Sequence, residues 1–206
     1  MAALQQPYYT PEQYVEMEEK AEFKSEYVSG RISAMAGASP RHNTISANVL
    51  REVGNRLKGG PCQPFGSDQR VTIMQTGLKT YPDVLVVCGE LHLHPLDRNS
   101  LINPVVVFEV LSDSTEGHDR GEKWAHYRRL DSLEEYVLVS QKEARVELYV
   151  RHADGSWKYT ATEGLEASLF LPSLNCTLPL AEVYDRVVFE ETPAAEALPD
   201  GAGVLQ

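Results

Sequence analysis

Two runs of this chain, Asp83-Val84-Leu85-Val86-Val87-Cys88 and Pro104-Val105-Val106-Val107-Phe108-Glu109-Val110-Leu111, are almost wholly apolar and rich in valine. A strand wetted on one face alternates apolar and polar residues, whereas an unbroken apolar run belongs to a strand covered on both faces. The runs therefore predict a central sheet flanked by helices, an α/β (mixed α+β) class. At 206 residues the chain suits one such domain and is short for two.

The surrounding segments fit that plan. Thr10-Pro11-Glu12-Gln13 carries a capping Thr, a proline at the first helical position and a capping-box Gln, so a helix is predicted from Pro11 to about Phe23. Tyr27 to Ile32 reads as a hairpin edge around Ser29-Gly30. After Ser39-Pro40, Ile45, Val49, Val53 and Leu57 recur every four residues until Gly59-Gly60, the surest helix in the chain. Arg70 to Ile73 alternates as a strand does, residues 121–130 (GEKWAHYRRL) form a helix with Trp124, Tyr127 and Leu130 inward, and Tyr136 to Val139 is a further strand. Ala153-Asp154-Gly155-Ser156 is a hairpin turn between Arg145–Val150 and Trp157–Thr162. The reading gives one domain over 1–189: N-terminal helix and hairpin 8–36, core 39–140, β extension 143–187. A disordered tail is expected over 190–206.

Charge and cysteine usage bound the function. With 19 basic and 30 acidic residues the net charge is −11, awkward for a protein that must approach phosphates. Four excess negative charges, Glu190, Glu191, Glu196 and Asp200, sit in the last stretch, and residues 41–58 hold Arg41, Arg51, Arg56 and Lys58 against Glu52 alone. Cys62, Cys88 and Cys176 are odd in number, widely spaced and read as reduced, mostly buried thiols. No apolar run reaches the roughly 18 residues of a membrane helix, and the first ten residues lack the features of a signal peptide. A cytoplasmic protein without membrane association is expected.

Glu109 is the chemical anomaly. A carboxylate inside V-V-V-F-E-V-L must be paired, protonated or bound to a cation. Asp83, after Pro82 at the mouth of the other buried run, can converge with it on a hard divalent cation, which takes oxygen ligands. A structural ion pair for Glu109 and a turn acid for Asp83 are the competing readings. His42, at a helix start, reads as a capping or packing imidazole, and the other five histidines form no ligand pattern.

In order along the chain, Glu26-Tyr27-Val28-Ser29-Gly30, Ala36 to Asn43, Gly66 to Val71, Tyr81-Pro82-Asp83-Val84, Glu109-Val110-Leu111-Ser112 and Asp119-Arg120-Gly121-Glu122-Lys123 resemble the Uma-type restriction endonucleases, within the PD-(D/E)xK nuclease superfamily. The resemblance runs from about residue 8 to 187. It implies a restriction-endonuclease-like core in which Asp83, Glu109 and the Val110 carbonyl hold Mg²⁺ or Mn²⁺. The superfamily's usual lysine, two residues after the glutamate, is Leu111 here. Lys123 is its natural substitute, against a reading as a solvated helix lysine paired with Asp119. Glu26 resembles an extra catalytic acid brought from an N-terminal element, and Asp68 and Arg70, with Arg41, are candidate cleft or nucleic-acid contacts. The implied activity is metal-dependent hydrolysis of nucleic-acid phosphodiesters, DNA foremost, by a homodimer. A decayed nuclease-like binding module and a small-nucleotide phosphoesterase are the alternatives.

Overall fold

The computed structural model describes residues 7–189; the tail expected over 190–206 lies outside the described residues. In chain order, α1 (Pro11–Glu18) leads into the hairpin β1 (Ser25–Val28) and β2 (Arg31–Ala34), then α2 (Pro40–Leu57). Strands β3 (Cys62–Gly66), β4 (Arg70–Ile73), β5 (Leu78–Thr80), β6 (Val84–Cys88), β7 (Leu93–His94), β8 (Asp97–Leu101) and β9 (Val106–Val110) follow. A helical crossover comes next: the short α3 (Glu116–His118), a π-helical turn over Asp119–Lys123 and α4 (Trp124–Tyr127). The chain ends with β10 (Glu135–Val139), β11 (Arg145–Arg151), β12 (Trp157–Glu163), β13 (Ser168–Leu171), β14 (Cys176–Pro179) and α5 (Leu180–Val183).

The apolar runs lie side by side in a mixed six-stranded sheet of order β12-β11-β10-β9-β6-β3. Of the expected β extension, β11 and β12 form one edge of this sheet, with Asp154-Gly155 turning between them and Gly155 at φ 81°, whereas β13 and β14 pair in a separate two-stranded sheet. A second six-stranded sheet, β2-β1-β5-β4-β8-β7, incorporates the N-terminal hairpin. On one face of the central sheet, Ile45, Val49, Val53 and Leu57 of α2 pack with Val84, Val86, Val106, Phe108 and Val110. On the other, Leu85, Val87, Val107 and Leu111 pack with Val71 and Ile73 of the second sheet and with Tyr127 and Leu130. Strand alternation thus assigns even-numbered residues of β6 and β9 to α2 and odd-numbered ones to the second sheet.

Several expectations are adjusted. The Thr10–Gln13 capping box forms, but α1 stops at Glu18: it buries only Tyr14 and Val15, and Glu16, Glu18 and Glu19 crowd the negative end of the helix dipole. The helix expected over 121–130 begins earlier, at Glu116, and passes through the π turn. Ser29 and Gly30 turn the first hairpin with φ of 48° and 81°, and a Cβ on Gly30 would fall 2.2 Å from the Tyr8 ring, so glycine is required there. Cys62 and Cys88, expected as thiols, form a disulfide, because the antiparallel β3–β6 register sets them opposite each other with Cα atoms 3.9 Å apart. Cys176 is free and half-buried.

Candidate active site

The antiparallel register of β6 and β9 pairs Val84 with Phe108, which carries Asp83, one residue before β6, to the level of Glu109. Asp83 is fixed there: its Oδ2 accepts a 2.7 Å hydrogen bond from the Val110 N–H and lies 3.2 Å from His42 Nε2. Because β9 and β10 are parallel, the chain between them must cross over one face of the sheet. That crossover lies on Glu109's face and brings Lys123 and Tyr127 over it.

Within the crossover the π turn sets Asp119 and Lys123 inward together, a departure from regular helix often found at functional sites. The Lys123 ammonium stands 3.3 Å from each of Glu109 Oε1, Glu26 Oε1 and Asp119 Oδ1. Lys123 is buried, unlike the solvated helix lysine of the competing reading, and it pairs with Asp119 as well as with Glu109. Tyr127, one turn further on and fully buried, donates to Glu109 Oε1 at 2.8 Å. Glu26 comes from β1 in the second sheet, where Thr80 donates to it and His118 Nε2 approaches at 3.5 Å.

Burial pushes the Glu109 carboxyl up to about 8; Lys123 opposes the shift, while Asp119 and Asp83 add to it. Burial likewise works against the charge on Lys123, but Glu109, Glu26 and Asp119 outweigh it and hold the ammonium above the ordinary lysine range. Glu26 is held below the usual carboxylate range: burial would raise it, and Lys123, the Thr80 hydrogen bond and His118 prevail.

These groups line a cleft of about 1300 Å³ between the two sheets, whose walls include Phe23, Lys24, Arg41, Asp68, Gln141 and Lys142. Asp68, almost fully exposed, pairs with Lys24 at 3.1 Å. Arg41 lies on the wall and donates to the Gln141 carbonyl at 3.4 Å. Arg70 does not reach the cleft. It is buried in the second sheet, 2.8 Å from Asp97 and 2.9 Å from the Tyr81 hydroxyl, because β4 is covered on both faces.

As donors, Asp83, Glu109 and the Val110 carbonyl suit a hard divalent cation in kind. Burial first, and then the like charge of Asp119 and Asp83, raise Glu109, and such a cation would offset both. Among the described residues, however, no group of three or more His, Cys, Asp or Glu is arranged to hold a metal, Lys123 standing among three of the carboxylates. Sequence reasoning missed His42 and Tyr127 as members of the site. His42 showed only a helix-start position, and Tyr127 carried a signal in its spacing, four residues after Lys123 on the same helix face.

Comparison with known proteins agrees with this architecture. A crystal structure of a putative nuclease belonging to DUF820, from Anabaena variabilis, matches with a TM-score of 0.71 at 18% identity, covering 87% of this chain and 99% of its own; this is a likeness of fold. Two uncharacterized proteins of Synechocystis sp., slr1290 and sll1609, are 36% and 35% identical over 189 and 160 residues, which is 89% and 78% of this chain and 95% and 90% of theirs. Residues 11–181 match the family model described as Uma2, putative restriction endonuclease, and with so much of its length matched the chain belongs to that family.

Proposed function

We propose that this protein is a metal-dependent nuclease that hydrolyses nucleic-acid phosphodiesters, with DNA as its substrate. The observation that carries the reading is the convergence of Asp83, Glu109, Glu26 and Lys123, from two sheets and the crossover helix, on the floor of one cleft. A nuclease needs oxygen ligands for a cation and a positive group to orient water and offset charge at the phosphorus, and these residues provide both. No helix among the described residues is long and apolar enough to cross a membrane.

Asp83, Glu109 and the Val110 carbonyl would hold Mg²⁺ or Mn²⁺, which when bound polarises the scissile phosphate and acidifies a coordinated water. The chain's own groups do the rest. Lys123, kept protonated by its three carboxylates, orients the attacking water and offsets charge on the phosphoryl oxygens. Glu26 and Asp119 hold the ammonium over Glu109, Tyr127 fixes the Glu109 carboxyl, and the Val110 N–H with His42 fixes Asp83.

The test is cleavage of plasmid, linear duplex and single-stranded DNA with Mg²⁺, Mn²⁺ or EDTA, with Glu109→Gln purified in parallel. Metal-dependent cutting by the wild type that the variant lacks supports the reading. Cutting that persists in EDTA or in the variant removes it. One observation favours a second reading, a nuclease-like binding module without catalysis: the carboxylates are gathered around Lys123 with no three-donor metal group among the described residues. Absence of both cutting and Mn²⁺ uptake would select that module.

A further inference from the structure

The cleft has room for more than a mononucleotide and is poorly furnished with cations to track a duplex. Its volume of about 1300 Å³ exceeds the about 300–1,000 Å³ of small-molecule sites, which leaves space for a polymer. Duplex binding rests on many lysine and arginine contacts to phosphate. Here the walls and floor offer Lys24, Arg41, Lys123 and Lys142, against the floor carboxylates of Glu26, Asp83, Glu109 and Asp119 and three more at Glu22, Asp68 and Asp113. Lys24 is paired with Asp68, Lys142 with Asp113 and Glu116, and Lys123 with the floor. A substrate must therefore gain affinity from something other than neutralised phosphates.

Phe23 is a group of the required kind. It lies on the wall of this polar cleft and is 78% exposed, and half-buried Met35 lines the same cleft. The backbone just after Phe23 is anchored: Lys24 donates to the Ser67 carbonyl at 2.9 Å and to Asp68 at 3.1 Å, and the Met35 N–H donates to the Lys24 carbonyl at 3.0 Å. An exposed aromatic on the wall of a phosphodiester-cutting cleft offers a stacking platform for a nucleobase, and only an unpaired base presents its face to it.

Resting on the nuclease reading, we propose that the cleft takes single-stranded or locally unpaired nucleic acid and that Phe23 stacks on a base next to the scissile phosphate. Affinity would then come from stacking and from a few phosphate contacts, so binding weakens only gently with salt.

The experiment is fluorescence anisotropy of the full-length protein with a labelled 12-nucleotide oligothymidylate, and with its duplex on oligoadenylate. Ca²⁺ replaces Mg²⁺, and a gel verifies that the probes stay intact. The single strand should bind more tightly than the duplex, with a log–log salt slope shallower than about −2. Phe23→Ala should weaken single-strand binding about tenfold and Phe23→Trp should restore it, with duplex binding unchanged in both. Being exposed, Phe23 can be replaced without disturbing the core. Tighter duplex binding, or a Phe23→Ala variant that binds the single strand like wild type, overturns the inference and leaves the nuclease reading standing. No binding of either probe by the wild type overturns both. An oligouridylate probe bound as well as the thymidylate supports the stacking site and identifies RNA as a further source of unpaired bases.

Discussion

The Lys123 ammonium stands 3.3 Å from Glu109 Oε1 although the two residues are 14 positions apart. The helical crossover between β9 and β10 thus sets an ammonium over Glu109, and on the proposed function this stands in for the lysine that the resembled motif carries on the strand itself, where this chain has Leu111. Leu111 shares the face of β9 with Glu109 and lines the same cleft, so the two routes lead to one place. Lys123→Met should lower cleavage by at least about 100-fold, with binding of uncut single strand retained. Removing one member of a buried ion cluster should also lower stability by about 3–5 kcal/mol, measured by urea unfolding. The double variant Leu111→Lys/Lys123→Leu should regain part of the activity. Full activity in Lys123→Met would exclude Lys123 from the chemistry.

The raised Glu109 carboxyl ties stability to pH, and on the proposed function metal binding as well. Its ordinary value is 4.5 and burial lifts it to about 8 in the fold. Between those values the folded chain holds a proton that the unfolded chain has released, so the group's contribution to stability is present below about 4.5 and is lost as pH rises to about 8. Without metal, the melting temperature of wild type should fall with pH across this window relative to Glu109→Gln, which has no proton to lose. A cation competes for the same oxygens, so Mn²⁺ affinity in wild type should rise from pH 6 to pH 8 with release of about one proton per ion, measured by calorimetry in two buffers. Parallel pH profiles for the two proteins would show that Glu109 is ionised in the metal-free fold.

His42 Nε2 approaches Asp83 Oδ2 at 3.2 Å while its Nδ1 is buried without a hydrogen-bond partner, so on the proposed metal site it would act through Asp83. Groups that orient a metal-binding carboxylate commonly carry 10- to 100-fold of the metal affinity. His42→Ala should therefore reduce Mn²⁺ affinity by about that factor and leave the unfolding free energy within about 1 kcal/mol of wild type. Unchanged affinity would restrict His42 to packing at the start of α2.

How far the sequence discloses this site depends on whether the contacts are local. Glu109 is conspicuous in the sequence because its own strand gives it no partner, and Pro82-Asp83 marks the neighbouring strand's mouth. The β6–β9 register that joins them is a pairing across the sheet, which no local pattern encodes. Lys123 follows from the resemblance, since pattern alone leaves it equally a surface lysine. Arg70 was misplaced because R-V-T-I alternation describes one strand and says nothing of a second sheet. The same limit hid the Cys62–Cys88 bond, made by two strands 26 residues apart.

The Arg70–Asp97 pair gives a prediction about the fold rather than the chemistry. Both side chains are nearly inaccessible, Lys79 Nζ lies 3.8 Å from Asp97 Oδ2, and Thr72, Tyr81 and Tyr14 complete a polar layer inside the second sheet. Taking the carboxylate away leaves two buried cations facing each other without a counter-charge, a far larger cost than the pair's net contribution when intact. Asp97→Asn should therefore destabilise the protein by about 3–5 kcal/mol, seen as a lower urea midpoint at an unchanged m-value. Because Arg70 does not reach the cleft, the residual folded protein should bind single-stranded oligonucleotide with wild-type affinity once corrected for the folded fraction. A variant of normal stability and impaired binding would return Arg70 to the substrate.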